Sequence, residues 1–205
     1  MENLLEKMIR SEKSEELARL DAISIVDSLF AELFERERDV LTRRFGLKGD
    51  KGETLEKIGS LHKLTRERVR QIEAASIKKI KKLEKLQDAV STLKQTVFDL
   101  LEEHGGLIRR DYLLDILTVM ALELNNENTP EDPEYEKNSS VYRNRFNFLI
   151  SKLMADDLEL VGDHDHFTPA FKLKEQPVDH LEDLAQDLMS KVESLKKTMT
   201  TEELL

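Results

Sequence analysis

The sequence of 205 residues contains no cysteine and no tryptophan, and its aromatic residues are 8 phenylalanines and 3 tyrosines. The absence of cysteine excludes disulfides and thiolate metal sites and fits a reducing cytoplasm. No apolar run approaches the ~20 residues of a membrane-spanning helix, and Met1-Glu-Asn begins no signal peptide. We therefore predict a cytoplasmic protein without membrane contact, whose cores are built from Leu, Ile and Val.

Signatures of catalysis are missing as well. The sequence has no glycine-rich phosphate loop, no Ser-His-Asp arrangement and no carboxylate pair that stands out from the general acidity. Asp163-His-Asp-His166 has metal-ligand residue types, but four polar residues at a hairpin tip more often form a turn. We predict that the chain is not an enzyme and has no metal site and no cofactor.

Negative charge dominates the chain but not its middle. The net charge is −10, yet Arg36 to Lys82 contains fifteen Lys or Arg against seven Asp or Glu. This segment carries +8, which leaves −18 for the other residues. A basic segment inside an acidic chain indicates a phosphate-binding surface whose acidic neighbours limit non-specific binding.

Two helices joined by a short turn are predicted inside the basic segment. Thr54 is placed to cap the first helix, in which Leu55, Ile58 and Leu61 share one face. Thr65 is placed to cap the second helix. The predicted buried stripe of that helix is Val69, Ile72, Ser76 and Ile80.

The outward face of the second helix carries Arg66, Glu67, Arg70 and Gln71. This is the layout of a helix-turn-helix that offers base-reading groups to a major groove. Arg can pair with guanine, Gln with adenine, and Glu can accept from cytosine. Basic solvated faces also occur on two-helix turns that bind no DNA, so the pattern alone leaves both interpretations open.

Three strings in this region resemble region four of sigma-70-family transcription factors almost residue for residue. They are RERDVLTRRFGL from Arg36 to Leu47, TLEKIG from Thr54 to Gly59, and TRERVRQIE from Thr65 to Glu73. The resemblance covers about Asp27 to Leu83. It implies that the minus-35 promoter element is read by Arg66, Glu67 and Gln71. It further implies that the DNA backbone is contacted or flanked by Arg70, Arg36, Arg44, Thr54 and Leu55.

The resemblance also implies a second partner, the flap of the RNA polymerase β subunit. Its binding surface would lie around Leu29, Phe30, Leu33 and Phe34, which spacing alone would place in a core. The sequence departs from the family at Ala75, where a basic residue often approaches DNA. The resemblance therefore does not fix the base preference at the edge of the promoter element.

The segments that flank the motif are predicted to be helical. Residues 1–24 form an N-terminal helical segment, and one helix is predicted from about Ile25 to Phe45, with Gly46 as its stop. After the motif the helix is predicted to continue through 83–90, which makes residues 85–92 a stiff linker.

From Ser91 onward the pattern indicates a winged helix. Helices are predicted from Leu93 to Leu101, Tyr112 to Leu124 and Val141 to Leu153, with a short strand at Leu107-Ile108 and a hairpin around residues 158–173. The polar stretch 125–140 is predicted to be a loop or a partly disordered insert.

The strings GGLIRRDYLLDIL and LVGDHDHFTPAFKL make this half similar to the HARE-type winged helix found in the delta subunit of bacterial RNA polymerase. Such a module could bind a second DNA segment or a protein, and the acidic surroundings favour a protein. The DNA-binding alternative would use Arg109, Arg110, Arg143, Arg145 and Lys152.

The tail from Pro177 is predicted to form an amphipathic helix whose apolar residues are spaced like a coiled-coil seam. Self-association through 178–195, or packing of this helix on its own domain, would bury the seam. No stop signal precedes Leu205, which leaves open a natural chain that extends further.

The predicted fold class is therefore mainly α, with five parts. These are a helical segment (1–24), a four-helix module with the helix-turn-helix (25–84), a linker (85–92), a winged helix with a small β-hairpin (93–175) and a C-terminal helix or tail (176–205). The expected function is a sigma-like initiation factor that binds double-stranded promoter DNA and core RNA polymerase. The alternative is a regulator or interaction scaffold that docks on polymerase, because nothing resembles the aromatic-rich region that melts the minus-10 element.

Overall fold

The computed structural model describes residues 20–124, 134–162, 168–175, 187 and 189–191. The helices are α1 (Ala22–Phe30), α2 (Glu35–Phe45), α3 (Leu55–His62), α4 (Arg66–Lys81), α5 (Lys85–Glu103), α6 (Arg110–Leu124) and α7 (Tyr135–Phe148). The strands are β1 (Leu107–Arg109), β2 (Leu158–Val161) and β3 (Ala170–Leu173). None of these helices is long and apolar enough to cross a membrane. The mainly α fold with a small antiparallel sheet confirms the predicted fold class.

The prediction of one helix from Ile25 to Phe45 is wrong, because the chain turns between α1 and α2. Phe34 has an extended backbone, and its N–H donates to the Glu37 carboxylate at 2.9 Å, so α2 begins afresh at Glu35. The turn buries Leu33 and leaves Phe34 73% exposed. At the other end of α2, Gly46 adopts φ +62° and stops the helix as predicted.

Both predicted caps of the helix-turn-helix are present. The hydroxyl of Thr54 accepts from the N–H of Lys57, and that of Thr65 accepts from the N–H of Arg68, each at 3.2 Å. A small core joins the two helices to α2 through Val40, Ile58 and Val69, against which Leu55, Leu64 and Ile72 pack. Leu61, which was expected to share the inner face of α3, is 55% exposed.

The chain does not continue as one helix from α4 into the linker. Residues 82–84 form a turn in which the N–H of Leu83 donates to the carbonyl of Ile80 at 3.0 Å, and α5 then begins at Lys85. Residues 85–92 form the first turns of α5, so the bend lies just before the predicted linker.

The second half has the predicted order of three helices and a wing. The strands form an antiparallel sheet in the order β1-β3-β2, with Leu107 opposite Lys172 and Leu158 opposite Leu173. Helix α7 begins at Tyr135 and ends in a π-helical turn, Leu149–Leu153. Its first two turns lie in the segment predicted as a loop, because Tyr135 packs against the core and Tyr142 is buried in it.

We refer to α1–α4 as the helix-turn-helix module and to α5–β3 as the winged-helix module. One continuous core runs through both, from Leu20 in front of α1 to Phe171 in β3. The two modules lie in one compact unit that ends at Leu173, and a second unit begins at Lys174. In that second unit, residues 187 and 189–191 are helical.

Three predictions fall outside the described residues. They are the N-terminal helical segment up to residue 19, the hairpin tip with Asp163 to His166, and the apolar seam of the C-terminal helix.

Candidate nucleic-acid interface

The predicted base-reading residues lie together on the exposed side of α4. Arg66, Glu67, Arg70 and Gln71 are all solvent-exposed, and we call these four side chains the reading face. The opposite side of the helix is fixed in the protein by the buried residues Val69, Ser76 and Ile80. Because the helix repeats every 3.6 residues, burial of one stripe directs the reading face to solvent.

The reading face is tied together by hydrogen bonds. Arg70 donates to both carboxylate oxygens of Glu67, from Nε and Nη2, at 2.8 Å each. The Gln71 amide donates to the same carboxylate at 3.4 Å and accepts from Arg68 Nη1 at 3.2 Å. This network fixes the direction of the Gln71 amide, with its nitrogen toward Glu67.

The network also keeps Glu67 charged. The hydrogen bond from Arg70 is the main cause that lowers the pKa of Glu67, and Glu67 in turn raises the pKa of Arg70. Exposed pairs of this kind stabilise a fold by little. Their effect here is to present an ionised acceptor beside cationic donors.

The predicted backbone-contacting residues are placed differently. Thr54 and Leu55 stand at the start of α3, and Arg66 approaches the Glu56 carboxylate there at 4.0 Å. Arg36 is exposed in the first turn of α2. Arg44 is half-buried, donates to the Glu53 carbonyl at 3.1 Å and pairs with Glu73 at 3.3 Å. It therefore connects α2 to α4 as well as facing solvent in part.

Two groups near the reading face were not singled out from the sequence. One is Arg68, which orients Gln71 and has no distinguishing signal among the many arginines. The other is Asp39, which accepts from Arg43 at 2.8 Å and contacts His62 Nε2 at 2.7 Å. Burial opposes the charged form of Asp39, but its hydrogen bonds with Arg43 and His62 outweigh that effect and lower its pKa. Asp39 thereby fastens the end of α3 to α2.

An open cleft of about 1000 Å³ lies beside α4 and α2. Its charged lining has both signs and comprises the basic residues Arg36, Arg38, Lys48 and Arg68 and the acidic residues Glu35, Glu37 and Asp39. Within the described residues, no three His, Cys, Asp or Glu are grouped so that they could hold a metal ion. The cleft therefore presents individual charged side chains of both signs and, in the part of the chain that the structure describes, no cluster of metal ligands.

The residues expected at the polymerase surface are mostly inside the protein. Leu29, Phe30 and Leu33 are buried, whereas Phe34 is exposed and stacks under Lys79, whose Nζ lies 4.5 Å from the ring centroid. Lys79 also pairs with Glu37 at 3.4 Å. The structure therefore separates Phe34 from the other three.

Several basic side chains of the winged-helix module are engaged by acidic or aromatic neighbours. Arg143 pairs with Asp111 at 3.1 Å and with Asp115, and Arg145 pairs with Asp27 at 2.7 Å. Arg110 lies 3.4 Å from Asp111, and Lys152 lies over the ring of Phe45. Arg109 is exposed in β1. The carboxylates reduce the positive potential that a phosphate would meet at this module.

Comparison with known proteins finds similarity in the helix-turn-helix module. The family model described as Sigma-70, region 4 matches residues 29–82, from the end of α1 to the end of α4. This range contains the whole reading face.

Similar relatives are RNA polymerase sigma factors. SigA of Nostoc sp. is 47% identical over 66 residues, which cover 32% of this chain and 16% of the relative. SigA of Lactococcus lactis subsp. cremoris is 50% identical over 54 residues, 26% of this chain and 15% of the relative. RpoD of Helicobacter pylori is 47% identical over 64 residues, 31% of this chain and 10% of the relative. The chain thus spans about a sixth or less of the length of these relatives. No solved structure matches it significantly.

Proposed function

We propose that this chain is a DNA-binding transcription factor that recognises a minus-35-type promoter element through α4. The observation that carries the proposal is the reading face itself, four exposed side chains on a capped helix inside the segment similar to Sigma-70, region 4. Arg66, Glu67 and Gln71 read base edges in the major groove. Phosphates are met by Arg36, Arg44, Arg70 and the amino end of α3 at Thr54 and Leu55.

The same module contacts core RNA polymerase at its β flap in this proposal. The named sigma-factor relatives support a polymerase-associated role. Phe34 is the flap-contact candidate that is accessible as the protein stands, and Leu29, Phe30 and Leu33 lie beneath the surface. Binding to polymerase and to promoter DNA, as proposed, requires the protein to act in the cytoplasm.

Fluorescence anisotropy of the full chain tests the DNA proposal. A minus-35 duplex and a scrambled duplex are titrated across a salt series. We expect a preference of roughly ten-fold or more, worth ~1.4 kcal/mol, together with a steep salt dependence from released counterions. Equal affinity for both duplexes would contradict sequence reading.

A second candidate is a regulator or scaffold that docks on polymerase without sigma activity of its own. The short extent of the similarity favours this second candidate. The match covers only 54 to 66 residues, which are 16% or less of each named sigma factor. Transcription with core polymerase and this chain alone distinguishes the two. Specific initiation supports a sigma factor, and initiation that needs a further sigma component supports a regulator.

The winged-helix module is, in this proposal, a HARE-type domain that contacts protein. The order of its helices and strands agrees with that assignment, and its paired arginines favour a protein partner over a second DNA segment. Self-association through 178–195 is proposed from the apolar seam in the sequence, and the oligomeric state in solution tests it.

A further inference from the structure

The third helix of the winged-helix module is docked on the helix-turn-helix module by polar contacts. Arg145, whose side chain is 13% exposed, donates to the carbonyls of Leu47 at 3.1 Å and Ile23 at 2.9 Å and pairs with Asp27 at 2.7 Å. The Asn144 amide donates to the carbonyls of Gly46 and Asp50 at 2.8 and 3.0 Å. These two side chains bond to backbone carbonyls in the first turn of α1 and in the loop after α2, which is the behaviour of a built interface.

An apolar contact lies beside the polar one. Phe148 is fully buried, with its ring centroid 5.8 Å from that of Phe30 and 4.9 Å from that of Phe45. Leu29 and Leu33 belong to the same core. Phe148 of α7 therefore packs against Phe30 of α1 within the core that also holds Leu29 and Leu33.

These contacts indicate whether α7 binds DNA or protein. In helix-turn-helix folds that bind DNA, the recognition helix presents side chains to the major groove. Here Asn144, Arg145 and Phe148 of the corresponding helix bind protein, and Arg143 is paired with Asp111 and Asp115. Helix α7 is a protein-docking helix in this chain.

We propose that the winged-helix module covers, within the same chain, the apolar face through which the helix-turn-helix module binds polymerase. The cover is held by Asn144 and Arg145, and polymerase reaches Leu29, Phe30 and Leu33 only when α7 moves away. The inference rests on the proposed function, because it takes this face to be the polymerase contact. Its content is regulation of that contact.

DNA reading and polymerase binding are then controlled separately. Lys81, the last residue of α4, pairs with Asp156 of the winged-helix module at 3.0 Å. At 1.5 Å per residue, Lys81 lies roughly 15 Å along the helix from Gln71. The reading face stays open while the polymerase face is covered.

The first test weakens the cover in the full chain. Asn144→Ala combined with Arg145→Ala removes the polar contacts, and binding to purified core RNA polymerase is measured. We expect affinity to rise roughly ten-fold, because weaker docking of α7 enlarges the competent fraction and apparent affinity scales with that fraction. Arg143→Ala is the matched control, because Arg143 pairs within its own module. Asn144→Ala alone serves as the milder variant if the double substitution unfolds.

The second test fixes α7 to the helix-turn-helix module with a disulfide. A Cβ built on Gly49 lies 3.6 Å from the Cβ of Ser140, which is within the ~3.5–4.5 Å that a disulfide spans. Gly49→Cys with Ser140→Cys therefore allows a cross-link between the modules, and the natural chain has no cysteine that could interfere. The oxidised and reduced forms share the strain at Gly49, which has φ +94° and whose new Cβ lies 3.1 Å from Val141 Cγ2 and 3.3 Å from the Lys137 carbonyl oxygen. We expect the oxidised form to bind core polymerase roughly ten-fold or more weakly than the reduced form.

The outcomes separate this inference from the proposed function. Equal polymerase binding by the oxidised, reduced and Asn144/Arg145 variants would overturn the cover. A preference for the minus-35 duplex without polymerase binding by any variant would also overturn it, while sequence reading would stand. If the duplex preference is lost but the oxidised form still binds polymerase more weakly than the reduced form, the inference about α7 stands. The promoter-reading proposal then fails.

Discussion

Glu67 accepts hydrogen bonds from Arg70 and Gln71 before any DNA is present. A phosphate that binds Arg70 competes with Glu67 for the guanidinium, and a cytosine amino group that binds Glu67 competes with Arg70. Binding therefore exchanges one set of charge-assisted bonds for another. The exposed location keeps the energy of the exchange small.

Arg66 is predicted to distinguish sequences. Arg66→Ala should cost ~1–3 kcal/mol on a minus-35 duplex and little on a scrambled one, because a bidentate contact to guanine is lost. Anisotropy titrations on both duplexes measure the difference. Arg36→Ala is the comparison, since loss of a phosphate contact should weaken both complexes alike and reduce the salt slope by about 1. Equal losses for Arg66→Ala on both duplexes would make Arg66 a phosphate contact instead.

Asp39 is predicted to make stability depend on pH. Its pKa is lowered from the ordinary 3.8 in the folded protein, so its contribution is present above that value and is lost as the pH falls through the lowered pKa. Asp39→Asn should reduce the free energy of unfolding by about 0.5–1 kcal/mol at pH 7, a small value because the carboxylate is partly exposed. Urea unfolding of both proteins at pH 7 and at acidic pH measures the gap. A gap that persists in acid would contradict the ion-pair explanation.

At the scale of the helical elements, the tight turn of the helix-turn-helix depends on Gly59. The N–H of Leu64 donates to the Gly59 carbonyl at 2.8 Å, and a Cβ on Gly59 would lie 2.6 Å from the carbonyl oxygen of Leu64. The turn itself passes through Lys63, whose φ is +55°. A side chain at position 59 must therefore push the turn away from α3.

Gly59→Ala is predicted to destabilise the protein by ~1–3 kcal/mol through this overpacking, although alanine favours helices in general. Chemical denaturation measures the change, and the minus-35 duplex should bind more weakly because α4 is displaced. Ser60→Ala is the control at the next, exposed position and should stay within about 0.5 kcal/mol. Unchanged stability in Gly59→Ala would show that the turn adapts.

The sequence predicted those elements whose signals are local. The cap residues Thr54 and Thr65 predicted the starts of α3 and α4, and Gly46 predicted the end of α2. The break between α1 and α2 was missed because the apolar stripe runs through it and phenylalanine is not a favoured N-cap residue. The start of α7 was missed because Tyr135 is flanked by acidic and polar residues typical of a loop.

Periodicity and spacing do not predict contacts between residues that are far apart in the sequence. Asp39 and His62 are 23 residues apart, and Arg145 bonds to a carbonyl 98 residues before it. A single sequence carries no signal for such pairs. The reading face could be predicted because its members lie within one and a half helical turns, whereas the packing of Phe148 on Phe30 could not.

At the scale of the whole molecule, the two modules share one core, and so they are predicted to unfold together. Phe148→Ala should lower the free energy of unfolding by ~3–5 kcal/mol and weaken α1 as well as α7, because its ring fills space between Phe30 and Phe45. Denaturation followed by hydrogen exchange measures both effects. Val119→Ala, at an exposed position of α6, should have little effect. Two separate unfolding transitions in the natural protein would contradict a shared core.

The distance along the chain between the covered face and its cover has a consequence during synthesis. Leu47 is made 98 residues before Arg145, which binds its carbonyl. At ~5–20 residues per second, the ribosome needs about 5–20 s to add that interval. For that time Phe30 of α1 and Phe45 of α2 have no Phe148 to pack against. The nascent chain is then expected to bind chaperones, and under the proposed function it is also the form in which polymerase would meet an uncovered face.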